Sequence, residues 1–386
     1  MKRILSPSAI ASLLLLYSFT TLVFAEQPQY EAGSISIAGA TADEPIRKSF
    51  SLSAAKDYLA KGSQAWTEHR KCVSCHTNGT FMQLAPTLGP MFKEQVEQHR
   101  KFFVLESSKF KRAPATAIKS GLKPTQLAYV ANGLAAYDEV QGKLSAETKE
   151  VLDLMLTVQS EDGSYSNLDC WPPFESSSYH GATIAAMALA TAPGYLKQVT
   201  DEQQKQIDIL KNYLQTTKPP HDYARLLLLW ASTKWDGLIS HQLRDDTVKM
   251  ILAHQQDDGG WSIRTFGTPD TWGGGSRKDK LNAEPEKDAP PSDGHQTGFA
   301  VMLLRDAGVP TDHKSVQSGI QWIKANQRES GRWWTRSLNT DGPHFITYSG
   351  TFFPLRALQL CGELDQKQAS VGESVSYTHL TLPTKA

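Results

Sequence analysis

One unit recurs along this chain and limits its folds more than any local propensity: an amphipathic helix ending in Gln, a Gly-containing turn, an aromatic residue, then a helix apolar almost all round. Its clearest copy runs over residues 248–256, turns at Asp257-Asp258-Gly259-Gly260, reaches Trp261 and continues as an apolar helix over 296–304. A second takes 320–327 through Arg328 to Gly331 and Trp333, with a partner helix over 350–361. A weaker one joins 152–159 through Gly163 and Tyr165 to the small-residue helix 181–189. A degenerate copy links 207–215 to 223–230 through Lys218-Pro219-Pro220, and fainter pairs couple 52–69 with 81–91 and 94–105 with 126–137. Each part has a physical task. Gly adopts the left-handed conformation that ends a helix, the aromatic ring is expected to lie against the Gln amide, and a helix without a polar face must be covered on most sides. Repeated hairpins bury their faces by stacking on their neighbours. About six hairpins over 51–364 therefore predict an all-α fold, an α/α toroid with the buried helices inside and the amphipathic ones outside.

The turns from Gln255/Gln256 to Trp261 and from Gln327 to Trp333, with the weaker Gln159 to Tyr165, resemble the repeats of the squalene cyclase and protein prenyltransferase superfamily. With the Cys-Val-Ser-Cys-His run at 72–76, Trp171-Pro172-Pro173-Phe174-Glu175 and His180-Gly181-Ala182-Thr183, the chain more closely resembles secreted bacterial cytochrome-like proteins carrying cyclase repeats. The resemblance implies the toroid and says little about activity. Class II terpene cyclases use an Asp-x-Asp-Asp acid, which is absent here, and Asp257-Asp258 reads as a solvated turn. Asp169-Cys170-Trp171 matches only the first two residues of the oxidosqualene cyclase acid motif. Prenyltransferases hold zinc through Asp, Cys and His, so Asp169, Cys170 and a later His imitate that set, although the spacing differs from the family's. Squalene cyclases also use two toroids where this chain affords one.

Cys72-Val73-Ser74-Cys75-His76 has the spacing of covalent c-type haem attachment. Two thiols can form thioethers with the two vinyl groups of one haem, and the adjoining imidazole can ligate its iron. A Cys72–Cys75 disulfide, a redox dithiol or a zinc site are the competing readings. The context favours haem: Lys2 and Arg3 precede an apolar stretch over 10–24 and a small-residue cleavage site before Glu26, the layout of a secretory signal peptide over 1–25. Export to the periplasm or the extracellular space is expected, and an uncleaved N-terminal anchor is the alternative. No later segment approaches eighteen consecutive apolar residues, so no transmembrane span is expected after cleavage. Without Lys2 and Arg3, 38 basic residues face 40 acidic ones, about −2 overall, which gives no argument for nucleic acid or an anionic membrane surface. Cys170 and Cys361 either pair or remain separate buried thiols. Residues 26–50, Gly-, Ser- and Ala-containing and without a period, read as a flexible leader. Residues 365–386 read as a disordered tail, whose end from Ser374 resembles translated sequencing-adapter read-through.

The haem motif falls where later hairpins carry their Gly-x-Trp turns, so the haem is expected at one mouth of the barrel. His180, His221, His295 and His344 stand at or just before the starts of inner helices, and should gather near the same rim. With His76 as the proximal iron ligand, the distal candidates are these four histidines, Met82, Met91, His69 and His99. An embedded small cytochrome domain over 51–140 is a further reading. The long insertion 263–294, with Trp272-Gly273-Gly274-Gly275, reads as a lid over the mouth or a spacer. The expected function is periplasmic electron transfer or haem-dependent redox chemistry, with a periplasmic redox partner. The alternatives are a non-redox enzyme of terpenoid cyclase, prenyltransferase or polysaccharide lyase type, with a hydrophobic small molecule in the barrel, and a binding or scaffold module. No catalytic residue is singled out.

Overall fold

The computed structural model describes residues 27–168, 171–272, 277–284, 286–339 and 342–364. The expected signal peptide, Asp169, Cys170, Gly273 to Gly275 and the 365–386 tail lie outside the described residues. Helix α1 (Leu52–Arg70) leads through the Cys72–His76 turn into α2 (Thr80–Leu84), which a 3-10 stretch extends over Ala85–Phe92. Helix α3 (Lys93–Arg112) reaches α5 (Lys123–Gln141) by way of the short α4 (Ala115–Ile118). Then come the pairs α6 (Ala146–Thr157) with α7 (Ser178–Thr191), and α8 (Asp201–Thr216) with α9 (Asp222–Lys234). Helix α10 (His241–Ala253) is separated from α12 (Gly294–Asp306) by an insertion bearing the short α11 (Arg277–Asn282), and α13 (Lys314–Ala325) pairs with α14 (Ile346–Leu360).

The second helices touch in cyclic order, α2 to α5, α7, α9, α12, α14 and back to α2. They form the inner ring of an α/α toroid. Burial follows the sequence pattern: α8 buries only Ile207, Leu210 and Leu214, whereas α7 buries nearly every residue from Tyr179 to Leu189. The middle of the ring is filled by side chains. Gln83 on α2 reaches Met187 on α7, and Trp230 on α9 meets Phe353 on α14 with ring centroids 5.9 Å apart, both pairs bridging helices that are not ring neighbours. Phe299 stacks on Phe353 at 4.7 Å beside them. The apolar interior of this barrel is a packed core.

Three turns share one construction. Gly163, Gly259 and Gly331 take φ of 96°, 86° and 94°, and the Gln amides of Gln159, Gln255 and Gln327 donate to their carbonyls at 3.4, 2.8 and 2.9 Å. The aromatic residue does a different job from the expected one. Trp261 and Trp333 donate their indole N–H to the carbonyls of Ile251 and Ile323, both at 2.7 Å, which pins the turn to the end of the outer helix. Each Gly also abuts the following outer helix, so a Cβ there would fall 2.6 Å from Ile209 O, 2.9 Å from Ser318 Cβ or 2.3 Å from the Ala54 carbonyl, respectively.

The flexible-leader reading of 26–50 is corrected over the described residues. Strands β1 (Tyr30–Ala32) and β2 (Ile35–Ile37) pair antiparallel, and Gln29, Tyr30, Ala32 and Ala40 are buried. Arg332 fixes this segment by pairing with Glu44 at 2.7 Å and donating to the carbonyls of Ala38 and Gly39. Composition without a period hid the strap because its anchors, the buried Arg332 among them, lie about three hundred residues away.

Candidate functional site

The Cys72–His76 turn opens onto a cavity of about 550 Å³. Its walls come from Trp66 and Arg70 at the end of α1, Leu122, Gln126 and Tyr129 around the start of α5, Trp171 to Glu175, and the segment leading into α14 with Phe345 and Ile346. The cavity lies at the end of the barrel where outer helices turn into inner ones. Its apolar lining and its volume suit a cofactor-sized group.

Local structure fixes the motif. Asn78 accepts from the Ser74 N–H at 2.8 Å and donates to the Cys72 carbonyl at 3.0 Å, closing the loop on itself. Trp66 also donates to the Cys72 carbonyl, at 3.2 Å, and Gln126 donates to the Val73 carbonyl at 2.8 Å. Cys72 and Cys75 are unpaired thiols. Burial raises both, and for Cys75 the neighbouring Glu175 carboxyl adds to the effect, so both remain protonated at neutral pH. This leaves two neutral thiols on one short loop, on the wall of one cavity.

His76 is held on three sides. Its ring stacks on Phe345 at 4.9 Å and 10°, and meets the Trp66 edge at 4.6 Å. Its Nδ1 lies 2.8 Å from Thr77 Oγ1, which is in turn 2.9 Å from the Tyr30 hydroxyl. Nε2 carries no hydrogen bond among the described residues. Burial, with Arg70 nearby, pushes the imidazole down to about 3, so it is neutral at physiological pH. A neutral imidazole with Nδ1 held and Nε2 bare is the arrangement that metal-ligating histidines require.

Glu175 completes the wall. It is 3% exposed, its Oε2 has no partner, and burial raises its carboxyl to about 7 while the hydrogen bond from the Cys75 thiol opposes that rise.

The four rim histidines all stand at the starts of inner helices, but none lines this cavity. His221 is itself the N-cap of α9: Nδ1 accepts from the Ala224 N–H at 3.0 Å and Nε2 meets Ser176 Oγ at 3.2 Å. His295 has both nitrogens engaged, with Ser349 Oγ at 2.8 Å and Tyr223 OH at 3.0 Å. His180 Nε2 lies 2.8 Å from Tyr129 OH, and His344 Nδ1 accepts from the Ser337 N–H at 3.1 Å. Burial lowers His180 and His295 to about 3 and His221 to about 4. Their common placement reflects capping and core hydrogen bonding, which sequence register alone cannot separate from ligation.

The remaining candidates scatter. Met82 and Met91 are buried at 0% and 4% and stand outside the cavity wall, His99 gives Nδ1 to the Gln95 carbonyl at 2.7 Å, and His69 is exposed on an adjoining hollow that shares Trp66, Arg70 and Phe345 with the cavity. No group of three or more His, Cys, Asp or Glu converges to hold a metal ion among the described residues. A covalently attached haem needs no such group, because porphyrin nitrogens fill four positions of its iron. Sequence reasoning missed Thr77, Trp66, Phe345 and Tyr30 as supports of His76. Only Thr77, adjacent to the motif, carried a local signal.

No described helix is long and apolar enough to cross a membrane. A comparison with curated proteins finds no match. Residues 229–361, from the end of α9 to the end of α14, match the family model of the squalene-hopene cyclase C-terminal domain. Those residues hold the two strongest Gln-to-Trp turns and are similar to that domain, and the closed inner ring makes the fold an α/α toroid.

Proposed function

We propose that this chain is an exported carrier of one c-type haem, bound through thioethers to Cys72 and Cys75 with His76 Nε2 as the proximal iron ligand. One observation carries the reading: both cysteine thiols and a neutral histidine held at Nδ1 line the same apolar cavity. Such a haem supplies one-electron transfer or haem-dependent redox chemistry. The protein's own residues orient the ligand through Thr77 and Tyr30, exclude water with Trp66, Phe174 and Phe345, and set a buried carboxyl, Glu175, beside one attachment point. The two redox roles would differ in whether a protein residue fills the remaining iron position, and none of the expected distal residues lines the cavity.

The full chain, expressed in a periplasm competent for cytochrome c maturation, should give a pyridine haemochrome spectrum of covalent haem that survives acidic acetone. Cys72→Ser combined with Cys75→Ser should abolish it. Absence of covalent haem in the unmodified chain ends the proposal. The non-redox terpenoid alternative calls for turnover that survives the double substitution, and the packed interior lends it no support.

A further inference from the structure

We propose that the rim of the Cys72–His76 cavity is a docking face for a redox protein with an acidic surface, a reading that rests on haem attachment at that site. The chain balances 40 basic against 40 acidic side chains, so a local excess needs a cause beyond net charge. Arg70, Lys71, Lys119 and Lys123 are all exposed around this mouth, and none forms an ion pair among the described residues. Elsewhere on the surface, cations commonly pair with carboxylates, as in Lys61–Asp57, Lys111–Glu150 and Lys234–Glu139.

Geometry ties the four to the cavity. Arg70 lines it and lies 5.7 Å from the Trp66 ring, with Lys71 next in the chain. Lys123 donates to Gln126, itself a wall residue bonded to Val73, and lies 5.7 Å from the Phe110 ring. Lys119 stands three residues before the wall residue Leu122, and a Cβ at the intervening Gly121 would lie 3.7 Å from Leu168 Cδ2. Among the described residues the carboxylates nearby do not match this charge: Glu106 is buried and paired with Lys109, Glu175 is buried in the wall, and the exposed ones are Glu68, bonded by Gln64 at the end of α1, and Glu31, which shares an adjoining hollow with Arg70.

Within the basic rim lies an apolar centre. Trp171 is 41% and Leu168 47% exposed, two of the few large hydrophobic side chains left in solvent among the described residues, and Trp171 lines the cavity itself. An apolar centre ringed by unpaired cations complements a partner whose own apolar contact is ringed by carboxylates. Electron-transfer encounters use small interfaces, and opposed charge steers them without tight binding.

The test uses the haem-loaded full chain and its triple variant Lys71→Glu, Lys119→Glu, Lys123→Glu, with covalent haem in each verified by the pyridine haemochrome. At low ionic strength the reduced unmodified protein should be oxidised faster by anionic ferricyanide than at high salt. The variant should lose roughly tenfold of that rate and gain with cationic hexaammineruthenium(III). Polyglutamate should slow the ferricyanide reaction of the unmodified protein and leave the variant unaffected. Rates that ignore the charge reversal overturn the docking face while leaving haem attachment intact, whereas absence of haem in the unmodified chain removes the reading beneath it. Sedimentation with phosphatidylglycerol vesicles combined with indifference to polyglutamate assigns the patch to a membrane surface and overturns the proposal.

Discussion

Gln327 and Ser51, 276 residues apart, hold each other by two hydrogen bonds: the Ser51 N–H donates to Gln327 Oε1 at 2.7 Å, and Gln327 Nε2 donates to the Ser51 carbonyl at 2.9 Å. Ser51 is also the N-cap of α1, accepting from the Ala54 N–H. The last Gln turn thus closes the ring onto the first helix. Gln327 is fully buried and also donates to Gly331 O, so Gln327→Ala removes three bonds and strands their partners, a loss of about 3 kcal/mol. Gln159 makes only the 3.4 Å bond to Gly163 O and leaves Oε1 without a partner, so Gln159→Ala should cost about 1 kcal/mol. Urea unfolding of both variants checks this, and equal midpoints would remove the clasp from the account.

Gly331 shows why the same closure tolerates no side chain. At φ 94° a Cβ would sit 2.3 Å from both the carbon and the oxygen of the Ala54 carbonyl, backbone that cannot swing aside. Gly142, at φ 67°, has nothing within 4 Å of its Cβ position. Gly142→Ala therefore bears only left-handed backbone strain, about 1 kcal/mol, while Gly331→Ala adds a forced separation of α1 from its neighbour and should exceed about 4 kcal/mol. Denaturant midpoints falling by similar amounts in the two variants would show that the contact with α1 yields easily.

The toroid was legible because its repeat is chemical as well as periodic: Gln, Gly and Trp each make a bond that recurs from hairpin to hairpin. The strap over 27–50 was not, since Arg332 and Glu44 gain their meaning only when the chain ends meet. At the site, Cys72, Cys75 and His76 were readable from spacing, but the histidines were read too alike. His221 caps α9 directly, His180 lies three residues beyond the Ser177 cap and His295 two beyond Asp293, so similar positions in sequence hide different bonds. Glu175 sits in a loop whose fold brings it to Cys75 from a hundred residues away, and no spacing reports that.

Buried histidines and buried carboxyls oppose one another in the acid stability of this protein. His180, His221 and His295 are held at about 3, 4 and 3, below the ordinary value near 6.5, so between about pH 6 and pH 4.5 the unfolded chain binds protons that the folded one refuses. Each such histidine makes stability fall as pH falls. Glu175 and Asp293, raised by burial to about 7 and about 6, do the reverse: the folded state keeps protons that the unfolded chain releases until about pH 4.3. With His76, likewise lowered to about 3, four histidines stand against these two carboxyls and leave a net loss on acidification. Glu175→Gln deletes one opponent, so the fall between pH 6 and 4.5 should steepen by about 1.4 kcal/mol per pH unit. Unfolding free energies measured across that window in the haem-free protein test the sign, and an unchanged slope would mean that Glu175 is ionised in the fold.

Thr77 is the residue through which the fold would address the iron of the proposed haem. Its hydroxyl is hydrogen-bonded to both His76 Nδ1 and Tyr30 OH, and it is fully buried, so it engages Nδ1 and leaves Nε2 for the proposed metal. Thr77→Val keeps the shape and removes that hydrogen bond. Covalent attachment at Cys72 and Cys75 should persist, because neither thiol touches this network, while the imidazole becomes a weaker and less oriented donor. Second-shell losses of this kind change metal affinity by about 10–100-fold, and here the result should be a shifted reduction potential and a partly high-spin ferric spectrum at neutral pH. Thr77→Ser, which restores the hydroxyl, should return both readouts toward those of the unmodified protein. If Thr77→Val alters neither the potential nor the spin state of the loaded protein, His76 is not the proximal ligand that Thr77 orients.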